Sequence, residues 1–532
     1  MTIPRLALLL SFSVGLLSLS QEILWVRLVG FGQQGRPQAF AIVLTMFLVG
    51  IALGAAMGRQ LCQRSPHLLR SAGIVLLQAA TLDLASLYVV HRVLDDTADK
   101  FPALAGLILL GAALKGVLFP IVHQLGSDAT REHRIGRSIS RVYLGNVVGS
   151  SLGPVLTGFW LLDRVPVETA FALVGLLTAL LGLLCLWHAR PVPRLLLGAP
   201  LLLLGWGAIA AWQPPPVIVR TATEPGSTGE IRNVIQNKNG IIHVLAPQSG
   251  GGDITFGGNA YDGRISNDMR ANSNRLDRAY VLAALHQAPK RVLVIGMSSG
   301  AWTRAVLGMP GVEHVDVIEI NPGYIELIRR YPDFATMLDD PRLHVHIDDG
   351  RRWMRAHAAN RYDLILQNTT HHWRAYTSML LSAEHFRLVG SLLAEGGIFT
   401  ANTTDSFDVY ATALSVFPHV GRHYNFAYMS RRPLIKHAKA EAQLRRCTIA
   451  GRPAFDEDAF GPKGLATRLA TEPLQSAQEH LSQSHKPYRP GVITDLNLLP
   501  EYRHGLTPLF GWIDAILPHD GDAEPPKPAQ NR

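Results

Sequence analysis

Seven apolar stretches of 19 or more residues crowd the first two fifths of the chain, near residues 4–26, 38–58, 69–91, 102–123, 142–163, 167–187 and 194–212. A bilayer core of about 30 Å takes roughly 20 helical residues. The pattern predicts a multi-pass α-helical membrane domain of about seven spans over residues 1–212, with a lipid bilayer as its partner. The first stretch is not read as a cleavable signal. It lacks an A-x-A-like exit, carries Gln21-Glu22 within the run and is followed by six similar runs. Gly50, Gly54 and Gly58 recur every fourth residue, which suits close helix approach and equally fits the ordinary glycine content of membrane helices. Glu22, Asp83, Lys115 and Asn146 fall inside spans. A charge at mid-bilayer costs about 3 kcal/mol even on lenient scales. These residues are expected to face the bundle interior, either as helix ties or as the lining of a polar cavity.

Charge sets the next limits. Charged residues make up only 17% of the chain, which excludes a disordered polymer. The net charge of +9 comes from arginines spread between apolar runs, a membrane-flank distribution rather than a nucleic-acid-binding patch. The three cysteines, Cys62, Cys185 and Cys447, form no CxxC pair, and no HExxH or comparable pattern occurs. No metal is expected. Loops after the even-numbered spans carry nine arginines and those after odd-numbered spans five cationic residues. With seven spans, this count places the N-terminus in the cytoplasm and the rest of the chain outside. A cytosolic nucleotide supply argues the reverse. The expectation is a multi-pass protein of the cell (inner) membrane with its soluble domain in the cytoplasm, against the arginine count.

Gln213-Pro214-Pro215-Pro216 marks the exit from the membrane domain. Residues 213–275 alternate short β-rich stretches (Ile231–Ile235, Gly240–Leu245, Ile254–Phe256) with Gly/Asn turns and read as a small antiparallel region. From about 276 to 435, strands at Arg291–Ile295, Val315–Ile320, Leu343–Ile347, Tyr362–Gln367 and Gly397–Asn402 alternate with helices. Such alternation predicts a Rossmann-like α/β fold with a parallel sheet, its ligand beyond the carboxyl ends of the strands. Residues 436–517 read as a C-terminal extension in which Thr494–Asn497, Glu501 and Arg503 return as a cap, and 518–532 as a disordered tail.

The strand ends carry the chemistry. Strand one runs into Gly296-Met297-Ser298-Ser299-Gly300, whose glycines permit a tight turn and close backbone approach to a ligand. Strand two ends at Glu319, about 20 residues beyond that turn, where an acid suits two ribose hydroxyls. Strand three ends in Asp348-Asp349-Gly350, where Asp349 suits an adenine amine or, alternatively, caps a helix. No G-K-[ST] follows the turn, which disfavours a triphosphate loop.

With these residues in view, the chain resembles the membrane-fused branch of the spermidine synthase-like (polyamine aminopropyltransferase) superfamily. RVLVIGMSSG, VDVIEINPGYIEL, DPRLHVHIDDGRRWM and YDLILQNTT follow the order of that family's core, and SQEILWVRL, LKGVLFPIV and VYLGNVVGSSLGP resemble its membrane partner. The resemblance implies a methyltransferase-type sheet, decarboxylated S-adenosylmethionine as co-substrate, an amine acceptor and transferase activity. It gives Gly296, Ser298, Ser299, Gly300, Glu319, Asp348, Asp349 and Gly350 to the nucleoside. The chain departs from the family on the acceptor side. Ser299 stands where the family has an acid, and Asn368-Thr369-Thr370-His371 replaces a loop with an acid at each end. The family's Tyr-His-Glu…His motif becomes Tyr280-Val281-Leu282…His286.

Each lost carboxylate removes about 1–4 kcal/mol of attraction for a close ammonium, depending on burial. In their place stand His371, His372, Trp373, Arg374 and Tyr376. His371 is the candidate base. Arg374 suits an anionic substrate or ordinary S-adenosylmethionine. The remaining catalytic candidates are Asn368 and Tyr280. Tyr261, Asp262, His286, Trp373 and Tyr376 are the candidates for substrate binding, with Asp268 nearby. Three functions stay open: aminopropyl transfer to an amine at an altered acceptor site, methyl transfer to an anionic or membrane-associated substrate, and nucleoside sensing coupled to a transporter-like bundle. A homodimer is a further expected partner state.

Overall fold

The computed structural model describes residues 2–94, 101–127, 135–189, 219, 229–247, 250–368, 371–455, 464–484, 489–497 and 499–503. The chain divides into two compact units. One comprises Met1–Gln33, Gln38–Pro225 and Gln236–Ile241, the other Gln34–Pro37, Gly226–Ile235 and Ile242–Arg532.

The first unit is helical: α1 (Ile3–Gly32), α2 (Gln38–Arg64), α3 (Leu68–Leu94), α4 (Phe101–Gly116), α5 (Leu118–Gly126), α6 (Ile135–Val155) and α7 (Val167–His188). Among the described residues, five helices are long and apolar enough to cross a membrane: Ile3–Gly32, Gln38–Arg64, Leu68–Ser86, Ala103–Gly126 and Val167–His188. The expected count of about seven is therefore not reached. The expected span at 142–163 is α6 running into π-helical Leu156–Leu161, and its Ser, Asn, Gly and Arg content keeps it out of the apolar group. The expected span at 194–212 lies outside the described residues.

Glycine sets how these helices meet. Gly50, Gly54 and Gly58 are buried, and a Cβ on any of them would run into the backbone carbonyls of Leu109, Ala113 and Val117. Gly145, Gly149 and Gly153 bring α6 equally close to Leu8, Phe12 and Leu16 of α1. Gly73 and Gly182 face each other's carbonyls between α3 and α7. Close backbone contact is the feature that small residues permit between apolar helices. The dominant pairs are thus α1 with α6, α2 with α4, and α3 with α7. Exchanging α1, α2 and α3 for the α4–α5 span, α6 and α7 in order maps this set of pairs onto itself.

Three of the intramembrane polar residues, Asp83, Lys115 and Asn146, are tied between helices. Lys115 Nζ donates to Asp83 at 2.8 Å, both side chains being essentially inaccessible. The Gln21 amide donates to the other Asp83 oxygen. Asn146 donates to the Ser11 carbonyl at 3.2 Å, while Ser11 Oγ reaches the Val142 carbonyl at 2.7 Å.

β1 (Ile231–Asn237), β2 (Gly240–Leu245), β3 (Asp253–Gly257) and β4 (Ala260–Ile265) form a four-stranded sheet in that order, its β2–β3 and β3–β4 pairings antiparallel; all of it but Gln236–Ile241 belongs to the second unit. After α8 (Asp277–Leu285) the chain alternates through β5 (Arg291–Ile295), α9 (Ala301–Leu307), β6 (His314–Glu319), α10 (Gly323–Arg329), β7 (Leu343–Ile347), α11 (Gly350–Ala356), β8 (Tyr362–Gln367), α12 (Ala383–Ser391) and β9 (Leu393–Asn402). It then adds α13 (Phe407–Val416), β10 (His419–His423) and β11 (Phe426–Ser430).

The strands form one sheet in the order Gln475–Ser476, β10, β11, β9, β8, β5, β6, β7. β5 to β9 pair in parallel, and β11 lies antiparallel to β9. The apolar run of β5 explains its central place. Val292 and Val294 join one core, while Leu293 and Ile295 join the other. Burying each such side chain is worth about 1.5–3 kcal/mol. The chain leaves β5 toward β6 and β7, then returns to β8 on the other side. That reversal opens a crevice at the carboxyl ends of β5 and β8. The expected extension is partly core: Leu444, Cys447, Leu465 and Leu469 pack into the cluster that holds Val292.

Candidate functional site

The turn after β5 has the conformation its sequence implied. Gly296 (φ +85°), Ser298 (φ +48°) and Gly300 (φ +80°) all take left-handed backbone angles, which a glycine adopts without strain. Ser298 Oγ donates to the Asp262 carbonyl, and Ser299 Oγ to the Arg264 carbonyl at 2.9 Å. Both serines thereby bind the turn to β4.

Glu319, at the end of β6, is 4% exposed. Its two oxygens accept the Met297 and Asn321 backbone N–H groups, each at 2.8 Å. Burial pushes its carboxyl up to about 7 against the pull of those amides. Asp348 and Asp349 are engaged differently. Asp349 caps α11, accepting the Arg352 N–H at 2.8 Å, and Asp348 pairs with the Arg352 guanidinium. The helix-cap alternative for Asp349 is therefore realised in this structure. Gly350 opens α11 with its Cα side 3.3 Å, at an added Cβ, from Ile295. Two residues escaped the sequence reading. Ile320 and Ile347 are 60% and 48% exposed at the tips of adjacent strands, and Ile347 lies opposite Glu319 in register. Their signal was available: apolar residues one step beyond, or level with, a strand-end acid.

The other side of the crevice is held by side chains. Asn368, just after β8, accepts from Asn402 at 3.1 Å, Asn402 accepts from Asn425 at 3.1 Å, and Asn425 accepts from Arg278 at 2.5 Å. Tyr324, from α10, donates its hydroxyl to Asp262 Oδ2. Burial raises the Asp262 carboxyl, while the Tyr324 bond and the Arg374 guanidinium draw it down. Burial likewise lowers Arg374, which Tyr324 and Asp262 oppose. Tyr261 is 46% exposed, and Arg264 and Arg278 both act on its hydroxyl. His371 stacks on Trp373 with ring centres 5.0 Å apart. Burial, His372 and Arg374 lower its imidazole to about 4. A conjugate acid held that low keeps the ring neutral near pH 7 and makes it a weak base. His372 bonds Thr404 Oγ1 at 2.7 Å. Tyr376 is 73% exposed with φ +65°. Residues 369 and 370 lie outside the described residues.

Two sequence candidates are not brought to the crevice. Tyr280 is fully buried against Phe455, its hydroxyl on the Thr448 carbonyl, because α8 turns that face into the core. His286 precedes β5; burial lowers its imidazole and Asp363, at the start of β8, acts on it electrostatically. That places it at the amino ends of the strands, opposite the crevice. Asp268 instead accepts the Arg270 N–H at 2.8 Å and stabilises a turn.

The C-terminal segment returns to the sheet as a strap. Arg351 grips Asp495 with two bonds of 2.7 and 2.6 Å and also reaches the Met379 carbonyl at 3.0 Å. Ser382 Oγ donates to the same Asp495 at 2.7 Å. Glu501 accepts both the N–H and hydroxyl of Ser378. The turn after the His371–Arg374 loop is thereby fixed from outside. Among the described residues, no group of three His, Cys, Asp or Glu side chains is arranged to hold a metal ion.

Residues 279–422 match the family model of the spermine/spermidine synthase domain, and residues 10–232 that of the Major Facilitator Superfamily. A polyamine aminopropyltransferase of Streptococcus pneumoniae is 34% identical over 120 residues, covering 22% of this chain and 41% of that protein. One from Mycobacterium tuberculosis is 23% identical over 377 residues, 68% of this chain and 70% of that protein. The chain thus spans about two fifths of the length of the first of these relatives. The crystal structure of a spermidine synthase from Thermotoga maritima is 22% identical, with a TM-score of 0.33, over 38% of this chain and 73% of that one.

Proposed function

Starting from a chain that joins a spermine/spermidine synthase domain to a Major Facilitator Superfamily segment, we propose that the α/β unit is a membrane-bound transferase of the aminopropyltransferase type that uses an S-adenosylmethionine-type nucleoside. The observation that carries this reading is the pairing of the Gly296–Gly300 turn with the buried Glu319 at neighbouring strand ends. The carboxylate is fixed by two amides, so its remaining lone pairs are pre-oriented for ribose hydroxyls. Exposed Ile320 and Ile347 offer apolar surface to a flat base.

In the reaction, an amine nitrogen attacks the methylene beside the sulfonium. The C–N bond forms, the C–S bond breaks, and its electron pair returns to sulfur, releasing methylthioadenosine. The new ammonium sheds a proton, and His371 is assigned as its acceptor. Orientation supplies most of the rate. Methyl transfer from ordinary S-adenosylmethionine is the second reading, favoured by Arg374 beside Asp262. Calorimetric titration of the full-length protein with 5′-methylthioadenosine tests the first premise. Saturable binding is expected, and no binding up to millimolar ligand would overturn it.

A further inference from the structure

The acids at these strand tips are each engaged by protein groups. Glu319 holds two amides, Asp349 caps α11 and Asp348 pairs with Arg352. On the acceptor side, the Asp262 carboxyl accepts the Tyr324 hydroxyl. Arg374 meets the same turn one residue on: an added Cβ on Gly257 would lie 3.3 Å from Asp262 Oδ2, and one on Gly258 would run into the Arg374 guanidinium. The Gly258 turn is what lets Arg374 sit there: at φ +57°, a Cβ on Gly258 would come 2.5 Å from Arg374 Nη2. Arg264 and Arg278 add positive charge around Tyr261. A crevice of this balance does not suit a dication. A carboxylate and a guanidinium side by side are complementary to an ammonium and a carboxylate side by side, and the planar fork of arginine matches a carboxylate with two parallel bonds.

We propose that Asp262, Tyr324 and Arg374 form a receptor for a zwitterionic, amino-acid-type group, the ammonium on Asp262 and Tyr324 and the carboxylate on Arg374. This rests on the nucleoside-transferase reading and names what the second half of the crevice takes. The group arrives on one of two carriers, the sulfonium nucleoside itself or the acceptor amine. Two matched pairs, each differing by one carboxylate, separate them. S-adenosylhomocysteine is compared with S-adenosyl-3-thiopropylamine, and L-ornithine with putrescine in saturating 5′-methylthioadenosine, by calorimetry on the full-length protein in lipid nanodiscs.

In one pair the carboxylate-bearing member is expected to bind at least about tenfold tighter, the low end for a charged hydrogen-bonded contact. Arg374→Met should abolish that preference and Arg374→Lys reduce it. Asp262→Asn should weaken both members while leaving the preference in place. A preference below tenfold in both pairs overturns the proposal. So does a preference that survives Arg374→Met in protein that still binds 5′-methylthioadenosine. Failure of 5′-methylthioadenosine to bind at all instead removes the nucleoside reading, and this proposal with it.

Discussion

The two sides of the crevice share one sheet but hold their polar groups in different ways. On the β5–β7 side, side chains bond backbone: Glu319 takes two amides, Ser298 and Ser299 take carbonyls, and Asp349 caps a helix. On the β8–β9 side, side chains bond one another: three asparagines in a row and histidine on tryptophan. A group tied to backbone is fixed by the fold itself. A group tied to other side chains can be exchanged together with its partners while the fold stays as it is. The first side therefore defines what kind of molecule is gripped, and the second is where substrate choice can change.

The contrast can be broken by experiment. The largest effect is expected from Glu319→Ala, which removes the ribose acceptor and leaves the Met297 and Asn321 amides without it. Affinity for 5′-methylthioadenosine should fall by roughly a hundredfold, about 3 kcal/mol. A fall of less than threefold would mean the acid serves the turn alone. His371→Ala acts on the opposite side. Nucleoside affinity should hold while turnover drops about a hundredfold, the usual scale for losing a positioned base. Full activity in that variant would move the proton acceptor elsewhere.

Asp495→Asn leaves a largely buried Arg351 with one charged contact fewer and should lower unfolding free energy by about 2 kcal/mol. The measurement is a denaturant midpoint, and an unchanged midpoint would show that the strap is held by its other bonds. The smallest effect concerns pH. The Glu319 carboxyl, pushed up to about 7, is mostly protonated below that value and so a poorer acceptor. Affinity for 5′-methylthioadenosine should rise about fivefold from pH 6 to 7, about tenfold by pH 8, and level off above that. Glu319→Gln should flatten the profile, and a slope that persists in that variant would assign it to another group.

What could be read from sequence follows the same division. The β5 turn, Glu319 and the five parallel strands were visible because strand–helix alternation and left-handed glycines leave a periodic trace. The antiparallel pair β10–β11 was missed, since its pairing to β9 is non-local and its residues alternate no differently from a loop with apolar contacts. Tyr280 and His286 were misplaced because a motif fixes spacing and not which face of a helix turns inward. The asparagine row, and Tyr324 against Asp262, join residues 23 to 62 positions apart, a distance over which no local pattern carries information. In the helical unit, the every-fourth-residue glycines of α2 were legible. The span count was not, because α6 mixes apolar and small polar residues.

The bond between Lys115 and Asp83 bears on how the chain enters a bilayer at all. The partners are 32 residues apart, so α3 is synthesised with its acid bonded at most by the Gln21 amide of α1, before the ammonium that neutralises it exists. Neither helix is comfortable in lipid by itself. The third and fourth segments are thus expected to wait at the insertion machinery and leave it together, as a neutral pair already joined.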